Sequence, residues 1–323
     1  MILTVTLNPL LENRFYYDSV ELGVSNRSKS HEFKAGGKGI NVSRQLNYLD
    51  IKNIALTFLG GNNGKILRKI LFEEDINFTA ISTKSETRLA ALAVEKTPAR
   101  LTTFFEPNNA VSKNEVDQFK SKLEKMMQNC SVVVFSGSSP STEADEIFSF
   151  GIQLANKLDK MSVLDTYGNH LQACIDAAPT ILHNNVSEIE KSLSIDLSTE
   201  EKKIEFLKGL YKKGIKLAFL TDGDNAIYAS KFDFTYKISP PIVDEIDSTG
   251  SGDAFVSGIV HGIEKGLVFD EFVKTASALG AVNASKWDVC ASTLEETKKL
   301  IPQIAITTIG KKLKLIDDSP TSH

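Results

Sequence analysis

Cysteine and histidine are scarce in this chain, and their scarcity excludes several kinds of protein. The 323 residues include three cysteines and five histidines. The cysteines, Cys130, Cys174 and Cys290, are odd in number and far apart, which argues against a disulfide framework, and no metal-ligand spacing links them. The histidines do not cluster. We therefore predict reduced, mostly buried thiols in a cytoplasmic protein.

The sequence also lacks long apolar runs and long basic runs. No apolar segment approaches the ~20 residues that a membrane-spanning helix needs, and Met1 leads straight into a strand-like segment rather than a signal peptide. The net charge of −4 argues against a nucleic-acid partner. With 41% hydrophobic residues, the composition is that of an ordinary globular protein. We predict no membrane partner and no nucleic-acid partner.

Short apolar segments alternate with amphipathic ones along most of the chain. The strand candidates are residues 3–7, 54–58, 132–135, 162–164, 180–182 and 217–220, and helix candidates include 116–127, 142–158 and 199–213. This alternation predicts an α/β fold with a mostly parallel sheet and helices on both faces. In such sheets, ligands bind at the carboxyl ends of the strands.

Two segments interrupt this alternation. Residues 10–35 contain polar-rich strand candidates, and residues 88–106 indicate a hairpin with its turn at 97–100. We predict a small antiparallel sheet that projects from the core. One face is expected to carry Leu89, Ala91, Ala93, Leu101, Thr103 and Phe105. A sheet this small cannot bury both faces alone, so it is expected to dock on the core or on a partner.

A glycine-rich segment, DSTGSGD at residues 247–253, leads into an apolar stretch with helical spacing. Its small residues allow a sharp turn, and N–H groups at a helix N-terminus attract an anion. Asp253 at the mouth of such a turn is suited to take a proton from a hydroxyl that attacks a phosphate. A glycine loop with a helix cap is the alternative.

An earlier segment, AGGKGIN at residues 35–41, has the same design. Lys38 brings a positive charge, and Asn41 brings both a donor and an acceptor. These groups suit a polyhydroxylated small molecule, with or without a phosphate. A turn with a helix cap is again the alternative.

Together the two segments resemble those of the PfkB (ribokinase-like) family of carbohydrate kinases, which carries a GGKGxN segment early and a DTxGAGD-type segment late. The opening MILTVTLNP is similar to the start of the sugar-phosphate branch, which holds 1-phosphofructokinases and tagatose-6-phosphate kinases. The resemblance extends to about residue 305. It implies a core from residues 1–9, 36–87 and 107–310 and a β-sheet lid from 10–35 and 88–106 that often mediates dimerisation. Residues 311–323, which lie beyond the resemblance, are expected to form a C-terminal tail.

The resemblance implies roles for individual residues. Asp253 takes the proton from the acceptor hydroxyl, while Gly250, Ser251 and Gly252 donate backbone N–H groups to the γ-phosphate. The residues implied to bind substrate are Glu12, Gly37, Lys38, Asn41, Arg44, Arg88, Ser138 and Asp165. Arg88 would form a forked contact with a phosphate already on the sugar. An exposed strand arginine is the alternative.

The nucleotide side is assigned in the same way. Residues implied to contact ATP are Asn185, Thr221, Gly223, Asn225, Thr249 and, in the adenine pocket, Asn283. Asn185 and Glu188 help to place Mg²⁺, often through water, although a polar loop with a helix cap remains an alternative. Asp247, with nearby carbonyls, holds either a monovalent cation such as K⁺ or a structural hydrogen bond.

The chain departs from the branch pattern mainly in the sugar half. Glu12 stands where the family usually has Asp, and TTFF at residues 102–105 replaces a more polar pattern. His183 and Asn184 replace a Lys-Pro pair, and Tyr167 replaces a serine. A longer carboxylate and a more apolar lid would reshape the sugar pocket.

We therefore predict an ATP- and Mg²⁺-dependent kinase that phosphorylates a hydroxymethyl group of a ketohexose phosphate. Conversion of fructose 1-phosphate to fructose 1,6-bisphosphate is the first choice. Tagatose 6-phosphate, an unphosphorylated sugar or nucleoside, and a non-catalytic role as a sugar-phosphate sensor remain alternatives. The predicted partners are the sugar phosphate and ATP. Docking of the lid on the core and docking on the lid of a second copy of the chain both remain open.

Overall fold

A computed structural model of the chain describes residues 1–309. Its strands are β1 (Ile2–Thr6), β2 (Leu10–Tyr17), β3 (Ser30–Gly36), β4 (Asn53–Gly60), β5 (Phe78–Thr83), β6 (Arg88–Lys96), β7 (Ala99–Phe105), β8 (Val132–Ser136), β9 (Met161–Asp165), β10 (Ile181–Asn185), β11 (Leu217–Thr221), β12 (Ile227–Lys231), β13 (Phe234–Ser239) and β14 (Ala305–Ile309). Its α-helices are α1 (Lys38–Tyr48), α2 (Gly61–Glu73), α3 (Lys113–Met127), α4 (Glu146–Lys157), α5 (Leu171–Asp176), α6 (Val186–Leu193), α7 (Glu200–Lys212), α8 (Ser251–Glu264), α9 (Phe269–Ala284) and α10 (Leu294–Thr297). The predicted tail, residues 311–323, lies outside the described residues.

Ten of these strands form one sheet in the order β14-β13-β12-β11-β10-β9-β8-β1-β4-β5. In this sheet order, the seven neighbouring strands β11, β10, β9, β8, β1, β4 and β5 are parallel. Strands β12, β13 and β14 continue the sheet beyond β11 with antiparallel pairing. The predicted α/β fold with a mostly parallel sheet is confirmed. The helix predicted at residues 142–158 is divided into a 3-10 turn, Thr142–Ala144, and α4.

Alternate side chains of the central strands enter two separate hydrophobic layers. In β8, Val133 and Phe135 pack on the side of α3 and α4, where Phe119 and Phe148 are buried. Val132 and Val134 point to the opposite layer, which is built by α1, α8 and α9. A strand buried on both faces is typical of a parallel sheet covered by helices. Among residues 1–309, no helix is both long and apolar enough to cross a membrane.

The lid is a second sheet with the order β3-β2-β6-β7. The prediction of a purely antiparallel sheet is wrong, because β2 pairs with β6 in parallel, whereas β2–β3 and β6–β7 are antiparallel. β2 and β6 belong to distant segments that both leave the core at its edge and run outward in the same direction. Two strands that start from the same edge can pair only in parallel.

The predicted face of the lid hairpin is also wrong. The turn pairs Lys96 with Ala99, so every even position of β6 faces an odd position of β7. Leu101, Thr103 and Phe105 therefore share a face with Ala90, Leu92 and Val94, opposite Leu89, Ala91 and Ala93. The length of the turn decides which side chains share a face.

At its base the lid docks on the core, since Leu11 and Ala35 are buried with Ile40 and Leu67. Farther out, Phe33 and Phe104 of this same face are exposed.

Candidate active site

The polar residues collect at the carboxyl ends of the parallel strands. Ser136 ends β8, Asp165 ends β9 and Thr221 ends β11. The N-terminus of α8 brings the glycine segment to the same edge of the sheet, and Lys38 begins α1 at that edge. This is the position where parallel α/β sheets bind ligands.

The turn before α8 requires glycine. Gly250 has φ +79° and is the N-cap of α8, and a Cβ placed there would lie 2.3 Å from Cγ1 of Val289. The N–H of Ser251 donates to the carbonyl of Ser248 at 3.1 Å. The geometry therefore uses this N–H inside the turn, and Gly252 is the better candidate for a donor to phosphate.

Asp253 is buried in the first turn of α8, with 3% of its surface exposed. Its Oδ2 accepts a hydrogen bond from Nδ2 of Asn41 at 2.8 Å. Burial raises the pKa of Asp253 to about 7, because the charged form loses its hydration. The ammonium of Lys38 opposes this rise, and the carboxylate of Asp165 adds to it. A carboxylate with this pKa is suited to act as a base near neutral pH.

Lys38 lies between two other carboxylates. Its Nζ is 3.3 Å from Oδ1 of Asp165 and 3.1 Å from Oε1 of Glu188. Burial alone lowers the pKa of Lys38, but the two carboxylates raise it above its usual value. For Asp165 burial has the opposite effect and raises the pKa, yet Lys38, with His183 and Ser136, holds the pKa of this carboxyl below its usual range. Lys38 and Asp165 therefore stay charged as a pair.

His183 joins the carboxylate pair to the nucleotide side. Its Nδ1 is 3.2 Å from Oδ1 of Asp165, and its Nε2 is 3.2 Å from Oγ1 of Thr221. The ring packs against Phe255, with 5.2 Å between the ring centroids. The sequence singles out His183 only as a departure from the branch pattern. Its role as a bridge depends on two neighbouring strands that bring Asp165 and Thr221 to either side of it.

Asn185 and Glu188 form a capping box at the N-terminus of α6. Oδ1 of Asn185 accepts from the N–H of Ser187 at 2.9 Å, and Oε2 of Glu188 accepts from the N–H of Asn185 at 3.3 Å. Residues 1–309 contain no group of three or more His, Cys, Asp or Glu residues able to hold a metal ion. Mg²⁺ keeps most of its waters and binds one or two carboxylates together with substrate phosphates, so one carboxylate and one amide fit it.

Asp247 lies in the loop before the glycine turn and is 7% exposed. Its Oδ1 accepts from the N–H of Thr249 at 3.0 Å. Its Oδ2 is buried and has no hydrogen-bond partner among the described residues. A buried carboxylate oxygen without a partner is costly, and a bound cation would satisfy it.

The amide of Asn283 holds the same loop in place. Nδ2 donates to the carbonyl of Thr249 at 2.8 Å and to Oγ of Ser251 at 3.1 Å, while Oδ1 accepts from the N–H of Cys290 at 2.7 Å. These contacts position the loop. A contact of Asn283 with adenine stays a prediction.

The turn after β11 contains Gly223 and Asn225. The N–H of Asn225 donates to the carbonyl of Asp222 at 2.9 Å, and Gly223 has φ +59°. A Cβ at Gly223 would meet nothing within 4 Å, so this turn borders open space. Their contact with ATP phosphates stays a prediction.

The predicted sugar side is organised around Arg88. Its Nη1 donates to Oδ1 of Asn108 at 3.3 Å, and its Nη2 donates to the carbonyl of Asn8 at 3.2 Å. Nδ2 of Asn8 donates in turn to Asn108 at 2.9 Å and to Oγ of Ser138 at 3.0 Å. Nε of Arg88 is buried and has no partner among the described residues. Sequence reasoning missed Asn108, which lies in the loop that follows the lid hairpin.

Glu12 enters the site from β2, but it is already paired. Its Oε2 lies 2.9 Å from Nε and 2.8 Å from Nη2 of Arg14. Nη1 of Arg14 also donates to the carbonyl of Trp287 at 3.1 Å. A Cβ at Gly36 would lie 2.5 Å from Oε1 of Glu12, so the carboxylate rests over the backbone of that glycine. Alternation along β2 places residues 12 and 14 on one face, a signal that could have identified Arg14.

Seven of the predicted residues form two groups of interacting side chains. In one, Asn41 binds Asp253 and Lys38 binds Asp165 and Glu188, and the charge of Lys38 acts on Asp253; in the other, Asn8 links Arg88 and Ser138. Arg44 does not present its guanidinium to the pocket, because Asn41 and Glu74 bind it. Gly37, with φ +120°, forms the turn into α1 rather than offering a side chain.

The chain is similar to known carbohydrate kinases. A model of the pfkB family carbohydrate kinases matches residues 10–296. A 1-phosphofructokinase of Borreliella burgdorferi is 28% identical over 96% of this chain and 99% of that protein. A tagatose-6-phosphate kinase of Staphylococcus epidermidis is 26% identical over 96% of this chain and 100% of that protein. The structure of phosphofructokinase-2 from Escherichia coli in complex with potassium shares the fold, with a TM-score of 0.86, 21% identity, and coverage of 94% and 98% of the two chains.

Proposed function

We propose that this chain, which belongs to the pfkB family of carbohydrate kinases, transfers the γ-phosphate of ATP to a hydroxymethyl group of a ketohexose phosphate. Fructose 1-phosphate, converted to fructose 1,6-bisphosphate, is the first choice. The observation that carries the proposal is the buried Asp253, with a pKa of about 7, in the first turn of a helix whose N-terminus faces the strand ends. It combines a base and an anion site within one turn.

Asp253 takes the proton as the acceptor hydroxyl attacks the γ-phosphate. The amide of Asn41 holds one carboxylate oxygen, which leaves the other oxygen to face the hydroxyl. Negative charge that develops on the transferred group would meet the N-terminus of α8, where the N–H of Gly252 belongs to the first turn. Little covalent chemistry is required of the protein beyond this positioning and charge compensation.

ATP phosphates would extend from the α8 turn toward Thr221, Gly223 and Asn225. Glu188 and Asn185 would hold Mg²⁺, which when bound neutralises charge on the β- and γ-phosphates. Lys38, whose side chain is 24% exposed, contributes a fixed positive charge beside the reacting groups.

Arg88 would bind the phosphate that the sugar already carries. Its buried Nε has no partner among the described residues, and its other contacts are long, at 3.2 and 3.3 Å. A phosphate can replace such contacts with shorter, charge-assisted ones. Glu12 would then bind sugar hydroxyls with the oxygen that Arg14 does not hold.

A monovalent cation, K⁺ in the first instance, would bind next to Asp247. The unpartnered Oδ2 of Asp247 supports this assignment, as does the presence of potassium in the phosphofructokinase-2 structure. A homodimer would cover the part of this lid face that extends beyond its contact with the core, where Phe33 and Phe104 are 37% and 63% exposed. The three free, buried cysteines fit a reducing, cytoplasmic location.

Tagatose 6-phosphate is the second candidate substrate, because a tagatose-6-phosphate kinase is nearly as similar to this chain as the 1-phosphofructokinase. The two substrates carry their phosphates at opposite ends of the sugar, so they would present different hydroxyls to Asp253 while both engage Arg88.

The decisive experiment measures ATP consumption with fructose 1-phosphate, fructose 6-phosphate, tagatose 6-phosphate, fructose and ribose, with Mg²⁺ and with or without K⁺. We expect the largest kcat/KM for fructose 1-phosphate. A preference for fructose or ribose would refute the sugar-phosphate assignment. Failure to turn over any acceptor would favour a non-catalytic sensor.

A further inference from the structure

We infer that Arg44 and Glu74 are positioning residues that orient Asn41, and through Asn41 the base Asp253. The inference rests on the role proposed for Asp253. Neither residue touches the reacting groups. Arg44 lies on α1 one turn beyond Asn41, and Glu74 follows the end of α2.

Consecutive short contacts link the surface to the base. Nε and Nη2 of Arg44 both lie 2.8 Å from Oε2 of Glu74. Nη1 of Arg44 donates to Oδ1 of Asn41 at 2.8 Å, and Nδ2 of Asn41 donates to Oδ2 of Asp253 at 2.8 Å. Nη2 of Arg44 also donates to the carbonyl of Ala35 at 2.7 Å. The guanidinium thus binds the segment immediately before the Gly36–Gly37 turn and the side chain after it.

The chemistry of these groups permits only one orientation of the Asn41 amide. A guanidinium can only donate hydrogen bonds, and an ionised carboxylate can only accept them. With Oδ1 toward Arg44 and Nδ2 toward Asp253, both contacts are favourable. A flipped amide would place two donors together on one side and two acceptors together on the other. Without Arg44, only Asp253 would select the orientation, and protonated Asp253 would select it weakly.

This orientation has a consequence for the base. A hydrogen bond donated to the charged form of a carboxyl lowers its pKa, and the Asn41 contact acts on Asp253 in this direction. Arg44 therefore keeps the pKa of the base from rising further with burial, and it keeps the same carboxylate oxygen turned away from the acceptor hydroxyl. Arg44 is 12% exposed in its side chain and Glu74 is 25% exposed, so water competes little for the first of these contacts.

The test compares R44M, E74Q, N41A and the double variant R44M/N41A with the wild type, using the sugar phosphate that the wild type turns over best. We expect R44M to lower kcat by about 10- to 100-fold, the scale of a small misplacement of a catalytic group. The KM for ATP should change less than about twofold, and the acidic limb of the pH profile of kcat/KM should move to higher pH. In the N41A background, R44M should add nothing further.

The control is R68M, which removes an exposed arginine from α2, where its guanidinium lies over the ring of Phe78. It should leave kcat and the pH profile unchanged. If R44M does not fold, E74Q decides, with an expected loss of roughly threefold in kcat and the same direction of the pH shift.

The inference is overturned if R44M, or E74Q in its place, keeps the wild-type kcat and pH profile, or if R44M lowers kcat by the same factor with and without Asn41. A wild type that phosphorylates no acceptor overturns the proposed function instead, and with it this role. An active wild type, an inactive D253A and an unaffected R44M together would refute the positioning role alone.

Discussion

The two halves of the site differ in how completely their polar groups are paired. Around Asp253, the amide of Asn41 has a partner at each end, and Lys38 contacts two carboxylates within 3.3 Å. Around Arg88, the contacts are 3.2 and 3.3 Å long, and the buried Nε has no partner among the described residues. The first half is organised before any ligand binds, whereas in the second the hydrogen bonds of Arg88 are incomplete.

This difference matches the two tasks of a sugar kinase. Proton removal and charge compensation are the same for every acceptor, and preorganised groups perform them without reorganisation. Recognition of one sugar needs groups whose hydrogen bonds are completed by that sugar and left unsatisfied by others. The departures at Glu12 and at residues 102–105 both fall on the recognition side.

The largest expected effect is in the catalytic half. Replacing Asp253 by Ala should lower kcat by roughly 10²–10⁴-fold, because the acceptor hydroxyl loses its base. The affinity for ATP, measured by calorimetry, should change little. Wild-type activity in this variant would mean that another residue is the base. The group around Asp253 would then not be the preorganised catalytic half of the site.

The second effect separates the halves directly. Arg88→Ala should raise KM for the sugar phosphate by about 10- to 100-fold, the cost of losing charge-assisted hydrogen bonds, while kcat changes far less. Arg100→Ala, which removes a lid arginine paired with Glu95, is the matched control and should leave both constants unchanged. An unchanged KM in the Arg88 variant would indicate an acceptor without a phosphate.

The third effect concerns the free energy of unfolding, which burial of the charged Asp253 lowers. The pKa of Asp253 rises from 3.8 to about 7 on folding. Because the folded value is the higher one, the unfolded chain loses its proton first. The stabilising effect of the protonated form is complete below pH ~4 and is lost as pH rises through about 7.

Asp253→Asn should therefore raise the free energy of unfolding at pH 8 by about 1–3 kcal/mol, with little gain at pH 4. Chemical denaturation at both pH values measures this. An equal change in the free energy of unfolding at pH 4 and pH 8 would mean that burial does not destabilise the charged form of Asp253.

The smallest effect concerns the cation. Asp247→Asn should reduce K⁺ activation by roughly threefold to tenfold, since it removes the negative charge of the carboxylate whose Oδ2 has no partner among the described residues. Asp244→Asn, an exposed residue of the same loop, is the control and should keep the response. Equal rates with and without K⁺ in the wild type would leave Asp247 with a structural hydrogen bond alone.

Much of this architecture could be predicted from local pattern. The six predicted core strands all form, and both glycine segments begin helices at the ligand edge of the sheet. The arrangement of the lid is harder to predict, because the pairing of β2 with β6 joins segments that are far apart in sequence. In addition, one residue more or less in the β6–β7 turn changes which side chains of the hairpin share a face. Such long-range register has no local signal.

The site residues follow the same division. Asp253, Lys38 and Asn41 stand in short motifs whose chemistry is legible from residue types. The hydrogen bonds of Arg44 with Glu74 and of Arg88 with Asn108 could not be predicted from the sequence, since each joins two different structural elements.

The sequence by itself determined the fold class and the family and indicated the candidate residues of the site, because periodicity and short glycine motifs are local properties of the chain. Only the tertiary structure decided which charges neutralise one another, the direction in which the pKa of Asp253 shifts, and which nitrogen of Arg88 lacks a partner within residues 1–309. Burial and charge pairing depend on what distant segments bring within a few ångströms, and local sequence does not encode those distances.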